Sequence, residues 1–517
     1  MPDVDTEKAE ILQWQKSCLV IANPGTGKTF LLAKKFKQLH NQGVSVDDIL
    51  CLTFTRKARD EMYTRIQEEL QIGSRPLNIH TFHSFAANTI GVETVENTAL
   101  LRYIICKEIQ NRDVYSYSSS YIEDTLLQVF ESAISYVKSY GLDANEVQQL
   151  LRTITIESEK FTKDEIERLS EHFSVIYKAY EAKKTGYDHT DLLSKAITNQ
   201  TQSYKWVLVD ELQDVNRLEA LLAKQAGEHI VGVGDPKQAI FGFQGGSISN
   251  FEIFGDIKKF SLGNNYRSTE EILTYARQYY LHHDPTATEV KQLQSALDMH
   301  GPAPRIYPTE RRIDTVVNRV DEHTSNNIGI ITRTNKEADE LLQRFQTLDI
   351  SVTGPASIDT DLQKNIIRFL QGILSNNDVW LRKALFTPFI DIPLQEAFHI
   401  AEEQLSIDEI EQKYPMIKEM RASTSLTSLQ HIFRRIILPR CKKSESAWKT
   451  GQAMYNAIQD AFNVVDGGLQ DLLLLLKSVD IETGELKDAR VTILTGHKAK
   501  GKEYDVVFFL PRKTRNR

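Results

Sequence analysis

Long apolar runs are missing from this 517-residue chain. The longest leucine stretch, Leu472 to Leu476, falls far short of the ~20 residues that span a bilayer, so no membrane partner is expected. Its start, MPDVDTEKAE, is polar and acidic and has neither the basic nor the apolar segment of a secretory leader. Cysteine is scarce as well. The four residues, Cys18, Cys51, Cys106 and Cys441, show no CxxC spacing, which excludes a zinc knuckle or an iron–sulfur cluster and leaves small core residues of a reduced compartment. Net positive charge is also absent: 62 basic against 70 acidic residues give −8. A protein that coats nucleic acid through bulk charge is thereby excluded, and any nucleic-acid site must be a local groove working through stacking as well as charge. The expectation is a soluble, cytoplasmic chain, nucleoid-associated in a prokaryote. At this length it exceeds the ~250–300 residues at which single cores usually split, so two to four domains are expected.

What is present begins with WVLVDELQDVN, residues 206–216. Trp206 to Val209 read as a buried parallel strand, which delivers Asp210 and Glu211 to its carboxyl end, where open α/β sheets bind ligands. Gln213 and Asp214 follow at once. The pair suits a Mg²⁺-holding Asp beside a water-activating Glu; the competing reading is two solvated acids opening a surface helix. A second strand-like run, CLVIA, leads into Asn23, Pro24, Gly25, Thr26, Gly27, Lys28, Thr29 and Phe30. This is a phosphate-binding loop entering a helix: glycines allow close backbone approach, and the helix N-terminus favours anions. Lys28 would reach the β- and γ-phosphates of ATP, and Thr29 would join Asp210 on Mg²⁺. Ala22 stands where the strict motif has its first Gly.

Strand-like runs at 18–22, 49–53, 77–80, 206–209 and 230–234 alternate with helix-like stretches, the pattern of a doubly wound parallel sheet. Leu126, Phe130, Ala133, Ile134 and Val137 share one helical face within a long strand-free interval. A second α/β set is expected at 305–307, 328–332, 491–494 and 505–510. The fold class is therefore α/β, with two parallel-sheet P-loop NTPase domains, each carrying a mainly helical insertion. Expected boundaries are 1–85 with 191–278 for the first sheet domain, 86–190 for its insertion, 279–360 with 488–517 for the second, and 361–487 for the other insertion.

Further blocks carry weaker signals. Gln238, in GDPKQAIFGFQGG, is placed to sense a γ-phosphate. Phe241 and Phe243 would point the same way in an extended segment, as stacking platforms for bases or as core residues. Arg267, in SLGNNYRST, can complement the charge of a transferring phosphoryl group or can be a surface residue.

The order of the blocks carries more than any one of them. The phosphate loop, TFTRKARDEM, HTFHSF, VDELQDVN, GDPKQAIFGF, NYRST, GIITRTN and TILTGHKAKGKEYDVVF follow the sequence order of superfamily 1 helicases, and the chain resembles the UvrD/Rep/PcrA type over essentially its whole length. The resemblance implies two RecA-like domains and an ATP- and Mg²⁺-dependent DNA helicase or translocase. It would run 3′ to 5′ on single-stranded or partly duplex DNA in repair, recombination or defence, with a nuclease or repair protein as partner. It further implies that Lys28, Asp210, Glu211, Gln238 and Arg267 are catalytic, that Tyr266 stacks on adenine, and that Glu503 meets the ribose. Thr53, Phe54, Thr55, His83, Phe241, Phe243, Arg333 and His497 would line the DNA path.

Four departures qualify it. The family's adenine-reading Gln falls on Lys8, Gln244 replaces an Arg after the second Phe, Lys502 replaces a Leu, and the sequence stops at LPRKTRNR before a final V-A-x-T-R-type block. Arg512, Arg515 and Arg517 read as a solvated basic end. Loss of an arginine finger costs ~10³–10⁵ in rate in other phosphoryl-transfer systems, so slow hydrolysis by this chain alone is expected. The alternative function is a truncated or degenerate helicase-like regulatory module that binds ATP and DNA; a metabolic kinase is a third, remote reading.

Overall fold

The computed structural model describes residues 5–71, 75–92, 104–105, 108, 127–153, 163–184, 186–199, 203–239, 248–308, 311–323, 327–346, 348, 350, 352–354, 360–422, 426–442, 445–460, 472–473, 475–476, 479 and 489–511. Cys106, Leu126, Phe241, Phe243, Gln244, Arg512, Arg515 and Arg517 lie outside the described residues. Two compact units divide the chain. The first holds Met1–Glu96, Ser132–Tyr177 and Thr185–Tyr307; the second holds Asn97–Glu131, Lys178–Lys184 and Pro308–Arg517.

The first unit is built on β1 (Cys18–Ala22), β2 (Ile49–Thr53), β3 (Ile79–Thr81), β4 (Tyr204–Val209), β5 (Gly227–Gly234) and β6 (Lys258–Leu262). They form one sheet in the order β3-β2-β4-β5-β1-β6, and all neighbours pair in parallel. Continuous apolar runs are needed because both faces are covered. Alternate residues feed two cores: Leu19, Leu50, Leu52, Val207 and Val209 pack into one, and Val20, Ile49, Cys51, Trp206 and Leu208 into the other. Parallel pairing sends every carboxyl end to the same edge, and the functional side chains gather there. A small parallel pair, β7 (Asn264–Asn265) and β8 (Gln294–Ser295), follows.

The helix Leu127–Ser139 forms where the apolar face is expected, burying Phe130 and Ile134. In the second unit, β9 (Ile328–Thr332), β10 (Val352–Thr353), β11 (Val491–Thr495) and β12 (Val506–Phe509) pair in parallel in the order β10-β11-β9-β12. Gly329 in β9 is required by a close approach: a Cβ there would lie 2.5 Å from the Tyr504 ring. A separate helical core gathers Phe369, Phe389, Phe433 and Ile458. The expected strand at 305–307 does not form. Arg305, Ile306 and Tyr307 are exposed, so that run has no partner face to pack on.

Four helices lie in the amino-terminal part of the first unit: α1 (Thr6–Gln13), α2 (Lys28–Asn41), α3 (Arg56–Leu70) and α4 (Phe82–Ile90). At eight residues, α1 is too short to be stable alone. The fully buried Lys35 of α2 holds it, donating from Nζ to the carbonyls of Ile11, Leu12 and Trp14 at its carboxyl end. Burial brings the Lys35 ammonium down to about 8, against the opposing pull of Cys18. Replacing Lys35 by Met keeps the stem's packing and removes the donor. The variant is expected to lose about 1–3 kcal/mol, the usual cost of stranding buried acceptors, read as an earlier urea transition by tryptophan fluorescence.

Candidate nucleotide-binding site

The loop between β1 and α2 is shaped by two glycines with positive φ, Gly25 at 70° and Gly27 at 84°. Thr26 braces it by donating from Oγ1 to the Asn23 carbonyl at 2.8 Å, and Asn23 bonds the Leu262 carbonyl through both its backbone and its side-chain nitrogen. Gly27 is the N-cap of α2 and supplies no side-chain cap, so the first-turn N–H groups of a 14-residue helix point toward the loop. That is a cradle for phosphate. Pro24 is exposed at the loop's crest, and Phe30 is half-buried in the first turn of α2 with the Lys34 ammonium 5.3 Å from its ring centroid.

Beyond β4, the chain places its acids against this loop. Lys28 Nζ meets Glu211 Oε2 at 3.0 Å, and Thr29 Oγ1 donates to Asp210 Oδ2 at 3.0 Å. Asp210 is buried and also accepts the Glu211 backbone N–H. Burial first, then neighbouring Glu211, pushes the Asp210 carboxyl up to about 6, against the pull of Lys28 and Thr29. Glu211 has φ 53° and ψ 45°, a left-handed conformation that a non-glycine residue adopts only when its surroundings impose it. A hard-oxygen pair from Thr29 and Asp210, beside an ammonium and a carboxylate, suits a Mg²⁺-bound polyphosphate.

Gln213, two residues beyond Glu211, connects the acids to the end of the neighbouring strand β5. Fully buried, it donates through Nε2 to Glu211 Oε2 and accepts the Asp235 backbone N–H at Oε1, 2.8 Å away. Gly234 makes the room, since a Cβ there would lie 2.7 Å from Gln213 Oε1. Asp235 in turn receives Gln238 Nε2 at 2.8 Å and Lys237 Nζ at 3.2 Å. A continuous chain of hydrogen bonds thus joins Glu211 after β4 to Gln238 after β5. Asp235 could have been read from the sequence as an acid placed immediately after a strand.

Tyr266 and Arg267 reach the loop through Asn265, a residue that carried no sequence signal. Asn265 donates from Nδ2 to the Pro24 carbonyl and accepts the backbone N–H groups of Arg267 and Ser268 at Oδ1, while Tyr266 N donates to Gly25 O at 2.8 Å. A Cβ on Gly25 would sit 2.5 Å from Asn265 Nδ2 and 2.8 Å from Arg267 Cβ. The Arg267 residue is exposed. On the other side, Tyr266 donates its hydroxyl to Asp5 Oδ2, which also pairs with Lys8 Nζ at 2.8 Å.

Of the residues expected along a nucleic-acid path, Thr53, Phe54 and Thr55 stand at the carboxyl end of β2. Thr53 is buried, Phe54 is half-buried, and Thr55 caps α3 by accepting Ala58 N. His83 lies at the carboxyl end of the adjacent β3, its Nδ1 3.8 Å from Glu219 and its ring 4.8 Å from that of His189. Burial and His189 hold the His83 imidazole below its usual range. Arg333, His497 and Glu503 belong to the second unit; the first two follow the carboxyl ends of neighbouring strands β9 and β11, and all three are exposed.

Comparison with known proteins finds sequence similarity to named helicases. Residues 4–258 match the UvrD/REP helicase N-terminal domain. A "Probable DNA helicase II homolog" of Mycoplasma pneumoniae is 24% identical over 95% of this chain and 75% of its own length. "ATP-dependent DNA helicase PcrA" of Staphylococcus epidermidis is 26% identical over 75% of this chain and 56% of its own, and that of Staphylococcus aureus 23% over 98% and 77%. Among the relatives compared, the matched share of the relative ranges from 40% to 77%, so several extend well beyond the matched region. Among the described residues, no helix is long and apolar enough to cross a membrane.

Glu219 offers a pH test of this edge of the sheet. It is buried and accepts the Asn216 N–H in a capping box; burial, then Asp214, raises its carboxyl to about 7. The folded state therefore holds a proton that the unfolded state releases near 4.5, and stability falls as pH rises through about 7. Glu219→Gln is expected to gain on the parent by about 2–3 kcal/mol between about pH 5 and pH 8, measured by urea unfolding at both.

Proposed function

We propose, from the match of residues 4–258 to the UvrD/REP helicase N-terminal domain and the similarity to proteins named DNA helicase, that the chain is a UvrD/PcrA-type, ATP-driven motor on single-stranded DNA, moving 3′ to 5′. The observation that carries the reading is the convergence of Lys28, Thr29, Asp210 and Glu211 on one phosphate loop.

In this reading the loop N–H groups from Gly25 to Thr29 hold the β- and γ-phosphates, and Lys28 exchanges its Glu211 partner for phosphoryl oxygens. Thr29 and Asp210 would hold Mg²⁺, which would supply positive charge to offset that of the phosphoryl oxygens. Glu211, released from Lys28 but still held by Gln213, accepts a proton from the attacking water as general base. Gln238 senses the γ-phosphate and reports through Asp235 and Gln213, while Arg267 meets the charge that develops on the transferring group. DNA passes over the carboxyl edges that carry Thr53, Phe54, Thr55 and His83 in the first unit and Arg333 and His497 in the second. Action in repair, recombination or defence, with a protein partner, completes the proposal.

The test is steady-state ATPase of the purified chain with and without single-stranded DNA, repeated with Glu211→Gln. Stimulation by DNA is expected, and the variant should keep ATP affinity while turnover drops about a hundredfold or more. A chain that binds both ligands yet shows no DNA-stimulated turnover would instead be the regulatory module.

A further inference from the structure

An anion is held by N–H groups and repelled by carbonyl oxygens, so a loop that cradles phosphate must aim its carbonyls elsewhere. Between β1 and α2, three successive loop carbonyls are each engaged by a donor of the protein. That of Asn23 accepts Thr26 Oγ1 at 2.8 Å, from within the loop. Those of Pro24 and Gly25 are taken from outside it, by Asn265 Nδ2 and by the Tyr266 backbone N–H, the latter at 2.8 Å. Pro24 has no N–H of its own, so its carbonyl is the only polar group it could turn toward an anion.

Asn265 is 1% exposed, and both ends of its amide are engaged: Nδ2 donates to Pro24, and Oδ1 accepts the Arg267 and Ser268 N–H groups at 2.8 Å each. Its backbone is fixed as well. In the β7–β8 pair it lies opposite Ser295, its carbonyl accepts Ala296 N at 2.8 Å, and Ser295 N donates to Glu270 Oε2 at 3.0 Å. Just upstream, Glu7 Oε2 accepts the Gly263 N–H at 3.0 Å. The amide therefore reaches the loop from a hydrogen-bonded base 241 residues away in sequence. It touches the loop so closely that Gly25 has no room for a side chain.

We propose that Asn265 is a positioning residue of the nucleotide site, holding the Pro24 carbonyl outward so that the empty loop already has its phosphate-binding form. The inference rests on the nucleotide-site reading above and deepens it. Without that bond the loop orders only when phosphate arrives, and fixing even one residue's backbone at that moment costs roughly a factor of ten in affinity.

Titration of the full chain with a fluorescent ATP analogue and Mg²⁺, followed by displacement with ATP and with inorganic tripolyphosphate, gives both the affinity and the number of sites. Asn265→Ser keeps an uncharged oxygen for the Arg267 and Ser268 N–H groups and loses the donor to Pro24. It is expected to bind both competitors about tenfold more weakly than the parent, by the same factor, with the number of sites unchanged. Asn265→Asp keeps the acceptor and replaces the donor by a carboxylate, which regains an O–H when protonated. Its deficit against the parent should be larger at about pH 8 and should narrow at about pH 5.5, because burial raises a carboxyl. Affinity of Asn265→Ser for either competitor within about twofold of the parent overturns the proposal. So do fewer sites at unchanged affinity or failure of both variants to fold, the marks of a residue that only supports the fold. A deficit in Asn265→Asp that does not narrow overturns it too, since the donated proton would then play no part. If the parent binds neither ATP nor tripolyphosphate, the nucleotide-site reading itself fails, and this inference with it.

Discussion

Lys28 and Glu211 stand 183 residues apart in sequence and 3.0 Å apart in space, and the rest of the site follows from what makes that contact possible. β1 and β4 both flank β5, all three run in parallel, and each ends at the same edge. A phosphate loop at the end of β1 and two acids at the end of β4 must then face each other across one intervening strand. Antiparallel pairing of either would send its functional end to the opposite edge of the sheet. The apolar alternation that feeds two cores is therefore also what aims the chemistry.

Local strain is concentrated where that edge is most crowded. Glu211 takes a left-handed backbone conformation, its carboxylate is shared between Lys28 and Gln213, and neighbouring Asp210 is buried. Three charges in so small a space would be costly if unpaired, and each is matched by a hydrogen bond that also fixes its direction. The same economy of space appears at Gly25 and Gly234, where a single Cβ would collide with Asn265 or Gln213.

Much of this was legible in the sequence because buried parallel strands are nearly uniformly apolar and end in short polar motifs. CLVIA, ILCLT and WVLV all lie in strands, and the residues after them gather at one edge of the sheet. β6 was not legible: KKFSL is an edge strand with only Phe260 and Leu262 buried, and its alternation over five residues resembles a loop. RIY, by contrast, has the composition of a strand but no sheet to join. The clasp of Asp5, Lys8 and Tyr266 could not be read at all, because an ion pair three residues long and a tyrosine 261 positions away from the aspartate share no local pattern. The position of Gln213 right after the acids suggests a link to the segment that follows, but its actual bridge depends on a strand, β5, that brings Asp235 alongside.

The buried Lys35 gives the first unit a mechanical property. It ties the carboxyl end of α1 to the helix that begins at the phosphate loop, so the segment bearing Asp5, Glu7 and Lys8 is cantilevered from α2. α1 cannot persist as a free helix of eight residues, and its folding is thus conditional on α2 being in place. The Asp5–Lys8 segment and the loop before α2 should open and close as one cooperative unit, with amide exchange in α1 tracking that in α2.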